Sequence, residues 1–195
     1  MGILRGVTLS QIAPLMEVII SSGLETIEIT MNTKNAPQLI RQAVKISKNR
    51  LVIGAGTVLN MRDLKVALKS GANFIVMPVL VKDVVKYCVR NKIPVFPGAL
   101  TPQEIYNAWG EGATMVKVFP AKFFGPEYFK EVKAPFNDIE LLACGGVTPA
   151  NARSYFASGA SAIAIGSNTF KKEWLKSGDY SSIAKEIKKY LQQIP

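Results

Sequence analysis

The chain has 195 residues, of which 48% are hydrophobic and 19% are charged, and it contains two cysteines and no histidine. The absence of imidazole excludes Ser-His-Asp and Cys-His relays and His-ligated zinc, so acid–base chemistry falls to Lys, Glu, Asp, Tyr or Cys. A net charge of +10 would suit nucleic acid, an anionic membrane or an acidic small molecule as a partner.

The basic residues are spread along the whole chain. Their densest cluster, Lys185, Lys188 and Lys189, alternates with apolar residues at helical spacing and is typical of a solvated helix face, so no nucleic-acid or membrane partner is expected. Cys88 and Cys144 are far apart, which indicates neither a disulfide framework nor a metal site. Without a signal peptide or an apolar run of about 18 residues, we expect a cytoplasmic protein with one domain, residues 1–195.

Eight short apolar runs alternate with stretches of helical periodicity. Each run is nearly continuous in apolar residues, as in strands that are buried on both faces of a parallel sheet. In chain order the predicted strands are residues 3–6, 24–30, 51–54, 73–78, 93–98, 115–120, 139–145 and 162–166.

Glycine and threonine mark the ends of the predicted helices. A glycine just after a helix adopts the left-handed conformation that ends it, and Thr followed by Pro supplies an N-cap and a first-turn proline. The glycines are Gly23, Gly71, Gly112 and Gly159, and the Thr-Pro pairs begin at Thr101 and Thr148.

This alternation predicts an α/β protein, a single (β/α)8 barrel (TIM barrel) at the small end of the usual size range. A doubly wound open sheet is the alternative, but its GxGxxG fingerprint is incomplete because residues 54–59 read GAGTVL. The first predicted strand starts almost at Met1. We therefore expect a short or truncated N-terminus, with no helix covering the floor of the barrel.

Two ionisable residues interrupt strands that are otherwise apolar. Glu28 lies between Ile27 and Ile29, and Lys117 lies between two valines. Because side chains alternate along a strand, both should point into the barrel, toward the C-terminal strand ends where barrel active sites form. Burial disfavours charge, which favours a nucleophilic amine and a proton-shuttling carboxyl group. A structural ion pair is the alternative.

An anion site is predicted at the ends of the last two strands. Gly145 and Gly146 lie at the end of the seventh predicted strand, and Gly166 and Ser167 lie at the end of the eighth. Backbone N–H groups that glycine turns and helix starts leave free can bind phosphate, and barrels commonly bind it at this position.

Other candidate residues lie at single positions. Arg5 at the end of the first predicted strand and Thr57 just after the third could hold a carboxylate or a carbonyl oxygen, although ordinary rim polarity explains each alone. Cys144 is interpreted as a packing residue, because no lysine or histidine lies near it in sequence to activate it. The aromatic residues interpreted as core or interface are Trp109, Trp174, Phe119, Phe123 and Phe124.

Six motifs follow one another along the chain. They are LRG at residues 4–6, IEIT at 27–30, IGAGTVL at 53–59, FPG at 96–98 with TP at 101–102, VKVFPA at 116–121 and CGGV at 144–147. In this order they resemble the motifs of the 2-keto-3-deoxy-6-phosphogluconate (KDPG) and 4-hydroxy-2-oxoglutarate (KHG) aldolase family. The resemblance extends from residue 3 to about residue 170.

The resemblance implies a class I aldolase of carbohydrate metabolism (the Entner–Doudoroff type), usually a homotrimer, with no metal or organic cofactor. Its substrate would be a phosphorylated keto acid, 2-dehydro-3-deoxy-6-phosphogluconate or the galactonate epimer, cleaved to pyruvate and D-glyceraldehyde 3-phosphate. Lys117 would form the Schiff base and Glu28 would transfer protons. The other implied positions are Arg5, Thr57, Asn32 and Pro78 for substrate binding, and Gly145, Gly146, Gly166 and Ser167 for phosphate binding.

The chain departs from the gluconate-type enzymes of this family in three places. Asn32 stands where those enzymes often carry Arg and looks like the galactonate-type enzyme. Met77-Pro78-Val79 stands where they often carry Ser-Pro-Gly or a similar segment, so Val79 replaces a polar or flexible rim residue. Cys144 replaces a common Thr. The alternatives are therefore a KHG aldolase, a phosphate-binding barrel isomerase or synthase, and a weakly active scaffold member.

Overall fold

The computed structural model describes residues 1–195. Its strands are β1 (Gly2–Leu4), β2 (Thr26–Thr30), β3 (Val52–Gly56), β4 (Ile75–Val76), β5 (Val95–Phe96), β6 (Gly98–Ala99), β7 (Val116–Val118), β8 (Leu141–Cys144) and β9 (Ala162–Ala164). Its α-helices are α1 (Leu9–Ser21), α2 (Ala36–Ser47), α3 (Met61–Lys69), α4 (Lys82–Arg90), α5 (Pro102–Gly110), α6 (Gly125–Lys133), α7 (Pro149–Ala157), α8 (Lys172–Ser177) and α9 (Tyr180–Leu191). Each predicted strand overlaps an observed one.

The strands form a closed parallel barrel. β1 to β5 pair in sequence, as do β6 to β9. β5 and β6 are two halves of the fifth predicted strand, divided at Pro97, which has no N–H group but whose carbonyl accepts the Lys117 N–H at 2.9 Å. At the other seam the Ile3 N–H donates to the Ile165 carbonyl (2.8 Å), and the Ile165 N–H donates to the Met1 carbonyl (2.9 Å). These bonds close the sheet and confirm the (β/α)8 prediction over an open sheet.

The apolar side chains form two clusters. The large cluster joins outward-facing strand residues, such as Ile27 and Val118, to the helices around the barrel. The small cluster of Leu142, Cys144 and Ala164 lies inside the barrel. This division follows from strand alternation, and it leaves Glu28 and Lys117 on the inward-facing set.

The helix ends have the predicted geometry. The four capping glycines have φ values between 85° and 97°, in the left-handed region. At the start of α5 the Thr101 hydroxyl accepts the Glu104 N–H (3.3 Å), and the Glu104 carboxylate accepts the Thr101 N–H (2.9 Å). Such a capping box satisfies two N–H groups that the helix itself leaves unpaired.

The lysine cluster near the C-terminus lies on α9, whose opposite face is buried through Ile183 and Ile187. This is the solvated helix face that the spacing predicted. No helix of the structure combines the length and the hydrophobicity that a membrane span requires.

An apolar cavity of about 320 Å³ opens at the N-terminal ends of the strands. Its walls include Thr26, Val52, Phe74, Phe96 and Met115. The cavity therefore lies at the floor of the barrel.

Candidate active site

A second cavity, of about 570 Å³, opens at the C-terminal ends of the strands. Eight of the ten predicted site residues line it, namely Arg5, Thr57, Pro78, Lys117, Gly145, Gly146, Gly166 and Ser167. Of the other two, Glu28 is buried inside the barrel, whereas Asn32 lies in the exposed turn after β2 and outside the cavity lining.

Lys117 reaches the cavity from the middle of β7. Its backbone pairs with Gly98 on one side and Leu142 on the other, and only 5% of the residue is exposed. Its ammonium nitrogen lies 5.3 Å from the centre of the Phe119 ring. A side chain at Gly98 would collide with the carbonyl of Pro78, so this glycine lets β4 and β6 approach closely beside the lysine.

Glu28 is 1% exposed, and its Oε2 atom has no hydrogen-bond partner. Burial raises the pKa of this carboxyl group, and the nearby charges of Lys117 and Arg5 only partly oppose the shift. The four ion pairs of the structure all lie at the surface, and none joins Glu28 to Lys117. The direct ion pair considered as an alternative is therefore not formed, and the Glu28 Oε2 atom accepts no hydrogen bond from the chain.

Gly56 on β3 provides the space for this carboxyl group. A Cβ atom at position 56 would lie 2.6 Å from the Glu28 Cδ.

We expect Gly56→Ala to push the carboxyl group aside and to lower kcat roughly 10–100-fold, the scale of about 1–3 kcal/mol of overpacking. Gly110→Ala, at the end of α5 where a Cβ meets nothing within 4 Å, is the matched control. Steady-state kinetics checks both variants, and an unchanged kcat in Gly56→Ala would show that the carboxyl position does not matter.

The loops after β8 and β9 carry the four residues that were predicted to bind an anion. Gly145 and Gly146 have φ values of 90° and 89°, and a side chain at Gly146 would collide with that of Lys122. The N–H groups of Gly146 and Ser167 donate no hydrogen bond within the chain. Free N–H groups on adjacent loops at a cavity wall make a concave site for an anion such as phosphate.

Arg5 and Thr57 line the same cavity. Thr57 has a φ of 56°, a left-handed conformation that is uncommon for threonine and often occurs at functional sites. The loop after Arg5 is held by Thr33, whose hydroxyl accepts the Gly6 N–H (3.0 Å) and bonds the buried Thr30 hydroxyl (2.9 Å). The motifs did not indicate this threonine pair.

The reason given for interpreting Cys144 as a packing residue, that no lysine lies near it, needs a correction. The thiol is buried in the barrel and lies beside Lys117, although the two residues are far apart in sequence. Burial raises the pKa of the Cys144 thiol, and the lysine only partly offsets it, so the thiol stays protonated. Packing remains its role, but it packs directly beside the lysine. Four further polar lining residues, Asn168, Lys171, Lys172 and Glu173, were not predicted, although they closely follow Ser167.

A buried lysine and a buried carboxyl group beneath a cavity with free N–H groups at its rim, at the C-terminal ends of the strands of a (β/α)8 barrel, suit a barrel lyase of the aldolase class. The sequence model of KDPG and KHG aldolases matches residues 1–186. The chain belongs to this family.

Relatives of known name agree with this assignment. The chain is 33% identical to 2-dehydro-3-deoxy-6-phosphogalactonate aldolase of Escherichia coli over 171 residues, which cover 87% of this chain and 83% of that protein. It is 30% identical to 2-dehydro-3-deoxy-phosphogluconate aldolase of Pseudomonas aeruginosa over 187 residues (94% and 84%). Among solved structures, one described as native KDPGal matches with a TM-score of 0.92 at 30% identity, over 98% of this chain and 92% of that one.

Proposed function

We propose that the protein is a class I aldolase that cleaves 2-dehydro-3-deoxy-6-phosphogluconate or its galactonate epimer to pyruvate and D-glyceraldehyde 3-phosphate. The observation that carries the proposal is the burial of Lys117 and Glu28 inside one barrel, beneath a cavity whose rim holds free N–H groups. Relatives named for both epimers support the substrate class.

In the proposed reaction, the Lys117 amine attacks the C2 carbonyl of the keto acid, and loss of water from the carbinolamine gives a protonated imine. Glu28 supplies the proton that leaves with the water and then removes the proton of the C4 hydroxyl. The C3–C4 bond breaks, its electron pair flows into the imine to give an enamine, and the aldehyde leaves. Glu28 returns its proton to C3, and hydrolysis of the new imine releases pyruvate and the free amine.

The remaining cavity residues would bind the two ends of the substrate. Arg5 and Thr57 suit the carboxylate end, because a guanidinium offers two parallel N–H donors and a hydroxyl offers one more. The N–H groups at Gly145, Gly146, Gly166 and Ser167 suit the phosphate end, and Pro78 shapes the rim between them. The role of Asn32 stays a prediction.

The experiment that tests this function is a pyruvate-release assay on the gluconate substrate, the galactonate substrate and 4-hydroxy-2-oxoglutarate, side by side. We expect turnover of at least one phosphorylated substrate, and a loss of turnover in Lys117→Ala. Equal rates in the wild type and Lys117→Ala would favour the scaffold alternative. Turnover of a phosphorylated sugar without pyruvate release would favour the isomerase or synthase.

We also propose that the protein is a cytoplasmic homotrimer and that exposed aromatic residues between α5 and α6 form its interface. Phe123 is 69% exposed and Phe124 56%, and Phe124 stacks on Tyr128 with ring centres 5.0 Å apart. A designed cage of fused symmetric oligomeric domains, at 30% identity, supports an oligomer. An exposed aromatic surface of this kind is typical of an interaction site.

The double variant Phe123→Glu/Phe124→Glu should dissociate the oligomer, because it would place charge in the centre of an apolar interface. Sedimentation equilibrium should give a trimer for the wild type and a monomer for the variant. Val79→Glu, another exposed apolar position at 54%, is the control and should leave the trimer intact. A monomeric wild type, or a trimeric double variant, would contradict the assignment.

A further inference from the structure

Tyr190 on the last helix contacts the candidate phosphate site from behind. The residue is only 2% exposed, and its hydroxyl donates to the Val147 carbonyl at 3.0 Å, across 43 residues of sequence. Val147 directly follows Gly145 and Gly146, so this bond fixes the backbone of the first glycine loop. Tyr190 itself does not line the cavity.

The same hydroxyl also lies against the second loop. Thr169, two residues after Ser167, is fully buried, and its hydroxyl lies within reach of the Tyr190 hydroxyl. The Thr169 hydroxyl makes no hydrogen bond of standard geometry, with Tyr190 or with any other group, so it is a close neighbour of the Tyr190 hydroxyl and not a bonded partner. The N–H groups of Thr169 and Phe170 both donate to the Gly166 carbonyl at 2.9 Å, so Thr169 is part of the tight turn that presents Ser167.

One phenolic group therefore lies between the two loops that border the anion site. Burial raises the pKa of Tyr190, so its hydroxyl keeps its proton and remains a donor at neutral pH. A site made of backbone N–H groups depends on the spacing of the loops that carry them, because each N–H must point at the same anion. A side chain that lies between the two loops therefore influences the distance between them.

We propose that Tyr190 is a positioning residue that holds the two glycine loops at the separation needed to bind the phosphate group of the substrate. The inference rests on the proposed function for its substrate. It requires that the effect of Tyr190 appear in phosphate binding and leave the chemistry at Lys117 and Glu28 unchanged.

Tyr190→Phe keeps the ring in place and removes only the hydroxyl. The variant leaves the buried Val147 carbonyl without its donor and removes the hydroxyl that lies between the two loops. For the phosphorylated substrate we expect KM to rise about 5–20-fold, with kcat changed less than about twofold. The unphosphorylated substrate, 4-hydroxy-2-oxoglutarate, has no group for this site to bind, so its KM should change less than about twofold.

Tyr155→Phe is the matched control. Tyr155 is also buried, at 1% exposure, and its hydroxyl also donates to a backbone carbonyl, that of Ala121 at 3.4 Å. Ala121 belongs to the 3-10 turn at Ala121–Phe123 that follows β7, and it does not line the cavity. A general effect of losing a buried hydroxyl would appear in both variants and on both substrates. If Tyr190 positions the loops as proposed, KM rises only in Tyr190→Phe and only for the phosphorylated substrate.

A binding measurement separates this inference from the proposed function. Inorganic phosphate should raise the melting temperature of the wild type, and its apparent Kd should rise about 5–20-fold in Tyr190→Phe but not in Tyr155→Phe. If the wild type binds phosphate but turns over no substrate, the proposed function fails while this assay still decides the role of Tyr190. Equal phosphate affinity in wild type and Tyr190→Phe, or no phosphate binding by the wild type, would overturn the inference. Thr169→Val, which removes the other hydroxyl at similar volume, should show the same selective effect if Tyr190→Phe does not fold.

Discussion

Incubation with pyruvate and sodium borohydride should attach one reduced pyruvate to Lys117. Lys117 is 5% exposed, at the inner end of the main cavity. An imine that forms there is shielded from bulk water, and borohydride converts it to a stable secondary amine that peptide mass spectrometry can locate. Lys171 and Lys172 line the rim of the same cavity and serve as internal controls. An adduct on either of them, with Lys117 unmodified, would contradict the assigned role.

A variant that lacks the Lys117 amine should lose almost all activity. Lys117→Ala removes the nucleophile, and the loss of a covalent catalyst typically lowers turnover by more than about 10⁴-fold. Lys117→Arg keeps a positive charge but cannot form the imine at neutral pH, so it should be equally inactive. Lys65→Ala, an exposed position on α3, is the control and should keep full activity. Circular dichroism of each variant shows whether the barrel is intact.

The architecture could be predicted because local signals and tertiary structure agree. Strands buried on both faces must be apolar, so an ionisable residue such as Glu28 or Lys117 stands out and its inward direction follows from alternation. The glycines that end helices are required by backbone conformation, so they also mark element boundaries reliably. Pro97 interrupts a strand without opening the barrel, because its carbonyl still accepts the Lys117 N–H.

The remaining details of the site depend on contacts between strands and helices that are distant in sequence. Cys144 lies on β8, beside β7, so its position next to Lys117 becomes visible only when the register of the two strands is known. Asn32 was assigned by motif position, but the turn after β2 leaves it exposed and turns Thr33 inward toward Gly6. Tyr190 reaches Val147 from α9, and no local pattern predicts that contact.

Glu28→Gln should inactivate the enzyme and make it more stable at neutral pH. Loss of a general acid–base group typically lowers turnover about 10²–10⁴-fold. Burial raises the pKa of Glu28 above its ordinary value of 4.5, so in the unfolded chain the group ionises at a pH where the folded protein resists ionisation. Above that ordinary value the glutamate therefore destabilises the fold. The amide, which carries no charge, should increase the free energy of unfolding by about 1–3 kcal/mol near pH 7.

The pH dependence of stability tests directly whether Glu28 lowers the free energy of unfolding at neutral pH. As the pH falls below 4.5, the carboxyl group is protonated in both states, so the stability difference between Glu28→Gln and wild type should disappear. Urea denaturation of both proteins at pH 7.5 and at pH 4 measures this stability difference. Glu25→Gln, at the exposed position just before β2, is the control and should change stability by less than about 0.5 kcal/mol at either pH. If Glu28→Gln is instead less stable at pH 7.5, attraction to Lys117 and Arg5 outweighs desolvation, and Glu28 acts chiefly as a structural counter-charge.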